Sequence, residues 1–394
     1  MKITQLDIEG FRSLRKVSWK PGDLNVIIGP NGTGKSNLLR FIELIAISAQ
    51  GRLGKYIQSL GGMDSIVWDG STTSIKLKME TAPEGGEIGP EQYNLELARL
   101  GSGSSYKVEK ELLINSHKLN KEIENKPFKF LERFAKTAVI FDESENTFTT
   151  PEEFISDEES LLSIASGPFI SNNLIPPFQK SLASIAVYHD FDTSMDAAIR
   201  QSAISRTERR VDSDGQNLIS VLHTLYTSDR GFKNDINAAM RAAFGDDFEE
   251  LVFPPASDQR IQMRIRWKSL KREQSAAELS DGTLRFLFLL TVMASPSPAP
   301  VIAIDEPETG LHPSMLPIVA EYAVDAAMRS QVILTTHSPQ FLDAFRETIP
   351  TTTVAKWENG ESILQTLCEE ELKYWLKEYS MGSLFKSSEL EQMR

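Results

Sequence analysis

The chain has 394 residues, 40% of them hydrophobic and 25% charged, and carries a formal net charge of −13. This is the balance of a globular protein with room for two or more cores, and its sign argues against indiscriminate coating of nucleic acid by the whole surface. No apolar run reaches the ~18 residues that a membrane span needs, and the single cysteine, Cys368, excludes an intrachain disulfide and a cysteine metal cluster.

The first stretch, MKITQLDIEGFRSL, alternates apolar and polar residues as a strand does, without the basic-then-apolar order of a signal peptide. A reducing cytoplasm is the expected compartment. Residues 2–8 and 24–28 read as strands separated by the turn Pro21-Gly22-Asp23, and the second runs into GPNGTGKS. Leu38, Leu39, Ile42, Ile45 and Ala46 then recur with helical spacing. Strands are predicted at 73–80 and 92–99 around a Pro/Gly-rich turn at 82–90. From about 105 to 275 the signals are mixed, with helices predicted near 126–136, 157–165, 193–204, 214–227 and 232–244 and an alternating strand at 260–268.

After 276 the pattern tightens. TLRFLFLLTVMA reads as a buried helix, 301–305 as a buried strand, 313–329 as a helix, 331–335 as a second buried strand and 339–346 as a further helix. Continuous apolar strands alternating with helices predict an α/β core with a parallel sheet. Asn359-Gly360 predicts a hairpin joining 353–357 to 361–367, and the last 27 residues read as a helical tail.

Gly29-Pro30-Asn31-Gly32-Thr33-Gly34-Lys35-Ser36 fits the Walker A pattern, GxxxxGK followed by Ser or Thr, in the strand–loop–helix setting it requires. Its glycines let backbone N–H groups turn inward around phosphates, and the following helix adds its positive N-terminus. Lys35 would reach the β- and γ-phosphates and Ser36 would hold Mg²⁺. Gly29, Asn31, Gly32, Thr33, Gly34, Lys35, Ser36 and Asn37 are the candidate nucleotide ligands. Val301 to Glu308 reads as a Walker B strand: Asp305 would hold Mg²⁺, and Glu306 would orient or deprotonate the attacking water.

On these residues the chain resembles the ABC-type ATPase heads of the RecF/SMC/OLD group, closest to compact AAA-family members without a Toprim nuclease domain. Gly10-Phe11-Arg12-Ser13 sits where that group places an arginine reaching bound nucleotide, which implies that role for Arg12. Leu279-Ser280-Asp281-Gly282-Thr283 resembles the LSGGQ signature, with Asp281 replacing its first glycine. Glu308 to Pro313 falls where the D-loop belongs, Thr335 to Pro339 where the switch-histidine loop belongs, and Tyr379 to Leu384 resembles the tail of the compact members. Walker A and Walker B lie 270 residues apart, wider than in transporter domains.

The resemblance implies an α/β P-loop NTPase of the ABC-ATPase (RecF/SMC head) type with a mixed α+β insertion, using ATP and Mg²⁺. It implies that Ser280, Asp281 and Gly282 meet the γ-phosphate held by a second copy, so that hydrolysis needs an ATP-dependent homodimer, with His337 sensing that phosphate. On its own, Ser-Asp-Gly before a helix is also an ordinary N-cap. His312 is an interface candidate only. A Q-loop glutamine is implied after the strand near 73–80; Gln92 fits by position, Gln50 and Gln58 come earlier, and the residue stays unassigned.

The expected division is 1–82 and 276–366 for the two parts of the head, 83–275 for an inserted β and helical lobe, and 367–394 for the tail. No heptad pattern persists in the insert, which excludes a long coiled coil. Arg260, Arg264, Arg266 and Lys268 share one face of the 260–268 strand, either as a solvated face or as a phosphate-backbone contact for DNA. Only 57 residues follow His337, so a nuclease or toxin is expected as a separate partner. The functional expectation is an ATP-hydrolysing switch in DNA repair, genome maintenance or anti-phage defence. The alternative is an ATP-gated scaffold or sensor that holds a protein effector without binding DNA.

Overall fold

The strand Leu24–Ile28 is buried at every residue and lies inside a parallel sheet, between Gln331–Thr336 and Thr351–Glu358. The structure, a computed structural model, describes residues 1–82, 91–101, 103–119, 127–151, 156–165, 172–345 and 347–393. The six-stranded sheet runs in the order Ala186–Tyr188, Val301–Asp305, Gln331–Thr336, Leu24–Ile28, Thr351–Glu358, Glu361–Thr366. The first five strands are parallel, and only the hairpin strand Glu361–Thr366 is antiparallel.

Alternate residues of these strands feed two separate cores. Leu24, Val26, Ile28, Ile302, Ile304, Val332 and Leu334 pack against the helices Leu218–Ser228, Arg230–Phe244, Asp281–Met293 and Leu316–Ala327. Ile27, Val301, Ala303 and Ile333 face the other way, onto the Walker A helix Lys35–Ser48, which buries Leu38, Leu39, Phe41, Ile42, Leu44 and Ile45. Each such side chain contributes about 1.5–3 kcal/mol on burial, so this helix is held firmly under the loop that precedes it.

An eight-stranded sheet covers the far side of that helix. It contains Ile3–Phe11, Leu14–Trp19 and Ser74–Thr81, and continues through Gln92–Arg99, Tyr106–Leu119, Pro127–Phe134, Thr137–Asp142 and Thr147–Thr149. Every pairing in it is antiparallel. The five strands from Gln92–Arg99 to Thr147–Thr149, expected in the insert, thus extend the sheet that the N-terminal strands begin. The short helix Leu161–Ile164 is pinned to this sheet by Glu111, which is fully buried and accepts from Leu161 N (2.6 Å), Leu162 N (2.9 Å) and Tyr93 Oη (2.9 Å). Burial pushes this carboxyl above the usual carboxylate range, against the pull of those donors. Glu111→Ala would leave three buried donors unpaired, and thermal or urea unfolding should show a loss of about 2–4 kcal/mol.

Three predicted elements are corrected. Residues 126–136, expected to be helical, contain the strand Pro127–Phe134, residue 126 lying outside the described residues. Residues 193–204 form only a 3₁₀ turn at Ala198–Arg200 and the two-residue strand Ala203–Ile204. The strand at 260–268 is broken into Arg260–Ile261 and Arg264–Trp267, which belong to different three-stranded sheets. The expected helix near 157–165 shortens to Leu161–Ile164, and most of the turn at 82–90 lies outside the described residues. The helices expected near 214–227 and 232–244 form, as does the hairpin at Asn359-Gly360.

The tail holds the helices Glu369–Trp375 and Met381–Lys386. The second docks on the helix Pro339–Leu342, where Gly382 N donates to Asp343 Oδ1 at 2.7 Å. A Cβ at position 382 would lie 2.3 Å from the Pro339 carbonyl oxygen.

Candidate active site

Five segments meet at the C-terminal ends of the parallel strands, where open α/β sheets bind their ligands. The loop after Leu24–Ile28 is the Walker A motif. Gly34 has φ +92°, and a Cβ there would come within 2.1 Å of Ser362 Oγ and 2.6 Å of Ser13 Oγ. Among the described residues, no atom beyond its chain neighbours lies within 4 Å of a Cβ built on Gly32, which opens outward. Thr33 Oγ1 closes the turn on the Pro30 carbonyl at 2.9 Å, and Asn31, Gly32 and Thr33 rim a cleft of about 490 Å³ shared with Trp357.

Lys35 is only 4% exposed, and its Nζ donates to the carbonyls of Gly29 (2.9 Å) and Pro30 (3.1 Å). Burial lowers its pKa, while the carboxylates of Glu306, Asp305 and Glu308 act in the opposite direction. Asn37 Nδ2 donates to Ser13 Oγ at 2.7 Å, which fixes the Gly10–Ser13 turn beside the helix start. Arg12 sits in that turn with φ +47°, its N–H bonded to the Ile66 carbonyl at 2.7 Å. Its Nε is buried without a protein partner, and burial, reinforced by Arg40, lowers its pKa.

Asp305 ends the Walker B strand and accepts from Thr335 Oγ1, with Ser36 beside it. Burial pushes its carboxyl upward, but the neighbouring His189 imidazole, Thr335 and Ser36 outweigh this, leaving it below the usual range. Glu306, one residue on, has φ +46°, an uncommon conformation for a non-glycine residue, and its N–H bonds Thr335 Oγ1 at 3.1 Å. Its Oε1 lies 2.9 Å from His337 Nδ1. The two candidate catalytic groups are therefore already in contact. Glu308, unassigned in the chemistry, is buried beside them; Thr336 Oγ1 donates to its Oε1, and burial raises its pKa.

His189 was not anticipated. It follows the edge strand Ala186–Tyr188, whose parallel pairing with Val301–Asp305 carries it to the same end of the sheet. Its Nδ1 lies 3.5 Å from Asp305 Oδ2 and its Nε2 3.4 Å from Glu43 Oε2, within ionic reach. Burial lowers its pKa, and these two carboxylates more than offset that. Gln92 instead lies on the antiparallel sheet against Asn94, and Gln50 donates to the Ala183 carbonyl. Gln58 is on the helix Leu53–Ser59. The group placed beside Asp305 from the segment before the signature is thus an imidazole.

The signature residues open the helix Asp281–Met293. Ser280 caps it, accepting from Thr283 N at 3.1 Å. Gly282 is packed against the D-loop, since a Cβ there would lie 2.8 Å from the Gly310 carbonyl oxygen. Asp281 pairs with Arg200, a buried arginine that composition and motif did not single out. His312 caps the short turn Pro313–Met315 through Ser314.

Only part of the basic strand face is paired with carboxylates, and Lys268 is exposed. Arg266 binds both Glu250 and Glu273, Arg264 lies 3.7 Å from Glu273, and Arg260 donates to the Ser202 carbonyl.

The open Gly32 cradle, the orphaned Arg12 Nε and the Ser36–Asp305 oxygen pair fit a nucleotide triphosphate with a hard divalent cation. A family model described as "AAA domain, putative AbiEii toxin, Type IV TA system" matches residues 24–343. Among solved structures, an SMC head bound to the C-winged helix domain of ScpA aligns over 95% of this chain and 100% of its own, with 14% identity and a TM-score of 0.58. A Pyrococcus furiosus SMC head with an extended coiled coil, bound to the C-terminal domain of ScpA, aligns over 96% and 99%, with 14% identity and a TM-score of 0.56. Comparison with curated proteins finds no match. Among the described residues no helix is long and apolar enough to cross a membrane.

Proposed function

We propose, for a chain that belongs to this AAA-domain family and has an ABC-type ATPase head of the RecF/SMC group, that it binds ATP with Mg²⁺, hydrolyses it, and pairs with a second copy around it. The observation that carries the reading is the convergence of Lys35, Asp305, Glu306 and His337 at one end of the parallel sheet, with Arg285 of the signature helix lining a cleft with Asp305 and Glu306. Lys35, the loop N–H groups and Arg12 would hold the phosphates, and Ser36 and Asp305 the metal, with His189 next to Asp305. Bound MgATP would supply a phosphoanhydride whose γ-phosphoryl group is open to in-line attack. Glu306 takes the proton of the attacking water, and His337 fixes the orientation of that carboxylate.

Sedimentation with and without MgATP tests the pairing: a dimer that forms only with nucleotide supports it, and a monomer under both conditions overturns it. The setting we infer is DNA maintenance or anti-phage defence, which the toxin–antitoxin wording of the family description supports. ScpA domains in both SMC head structures support a separate protein partner here, which we take to be a nuclease or toxin.

One observation favours the scaffold reading over direct DNA contact through the 260–268 strand. Arg264 and Arg266 are already neutralised by Glu250 and Glu273. In the double variant Arg264→Gln/Arg266→Gln, any DNA affinity should stay within about twofold of the parent and its salt dependence should not change. Weaker binding with a slope reduced by nearly one per lost phosphate contact would restore the DNA reading.

A further inference from the structure

A carboxylate is an awkward group to place at a helix N-terminus that the proposed pairing turns toward a phosphate. Asp281 is the first residue of its helix, lies between Ser280 and Gly282, and has a side chain 65% exposed. Unscreened, its charge would repel a triphosphate a few ångströms away and weaken the attraction of the helix dipole for that anion.

Arg200 answers this charge from behind. Its side chain is 4% exposed, and Nη2 donates to Asp281 Oδ1. Nη1 donates to the Leu279 carbonyl at 2.7 Å and reaches those of Ala277 and Ala276 at 3.3 and 3.4 Å. Nε donates to the Thr193 carbonyl at 2.8 Å. With Nε and Nη1 held by backbone oxygens from two segments, the guanidinium cannot follow the carboxylate outward. It is a fixed positive charge under the signature loop, a geometry that lysine could not reproduce. Thr193 lies four residues beyond His189, so the same arginine ties the segment leaving the metal end of the site to the loop that faces the second copy.

We infer that Arg200 is a positioning residue for pairing: it neutralises Asp281 and fixes the Leu279–Gly282 loop, so that the helix start accepts the phosphate held by the second copy. This rests on the pairing reading above.

The test uses the full chain with Glu306→Gln, and measures the ATP-dependent dimer Kd by sedimentation at low and at moderate salt. Arg200→Gln should weaken pairing about tenfold or more, with the larger defect at low salt. Asp281→Asn, which keeps the shape and the Oδ1 acceptor for Arg200 but removes the negative charge, should tighten pairing about threefold, because Arg200 then faces the phosphate unopposed. The double variant Arg200→Gln/Asp281→Asn should recover most of the loss, and ATP affinity of the monomer should stay constant throughout. If Asp281→Asn leaves pairing unchanged and the double variant is as weak as Arg200→Gln, the arginine only scaffolds the loop and the inference fails. A Glu306→Gln parent that remains monomeric with ATP overturns the pairing reading and this inference together. A parent that pairs while the variants disobey the pattern overturns this inference alone.

Discussion

Glu306→Gln is expected to lower steady-state ATP hydrolysis by about 10²–10⁴-fold while leaving ATP binding intact, so that an ATP-bound dimer accumulates. The substitution keeps the shape of the side chain, and the strained backbone at φ +46° is fixed by the Thr335 contact, not by the carboxylate. What is lost is the proton acceptor. Gln can still approach His337 at the position now 2.9 Å from Glu306 Oε1, but it cannot take a proton from water. Phosphate release measured alongside sedimentation separates the two effects. Hydrolysis at the parent rate would remove Glu306 from the mechanism, and loss of ATP binding would make its role structural.

Lys35→Ala should reduce ATP affinity by at least about a hundredfold, measured by calorimetry with the intact chain. The ammonium now rests on the Gly29 and Pro30 carbonyls, inside a site that also contains Asp305, Glu306 and Glu308. Removing it deletes a charge-assisted contact to phosphate and leaves those carboxylates facing a polyanion uncompensated. Affinity within about threefold of the parent would mean that the loop binds phosphate through its backbone alone.

The Walker A strand, loop and helix were legible because their signals are local. Four apolar residues in a five-residue strand, spaced glycines and a 3.6-residue period all fall within 24–48. The strands Val301–Asp305 and Gln331–Thr336, continuous and apolar, announced a parallel sheet in the same way. His189 was not legible, because its strand is only three residues long and the residue matters through pairing with a strand more than a hundred positions away. Arg200 was hidden for a related reason. Its neighbourhood, DAAIRQSA, has helical propensity, yet the arginine's bonds to Thr193 and the signature loop hold it as a single 3₁₀ turn.

The segment 126–136 was misread because Phe128, Phe130, Leu131 and Phe134 satisfy a helical period nearly as well as an alternating one, and pairing on both sides decides for the strand. At 260–268 the alternation was correct, with Ile261, Met263 and Ile265 buried, but composition could not show that Glu250 and Glu273 would meet the outward arginines.

The docking of Met381–Lys386 on Pro339–Leu342 ties the tail to the loop that carries His337. Pro339 lies two residues beyond His337, and the backbone at Gly382 abuts its carbonyl too closely for any side chain to intervene. A joint that tight leaves no room for a side chain at position 382, so the two segments pack backbone to backbone. Residues 381–386 are thereby part of the packing that fixes the backbone two residues beyond His337.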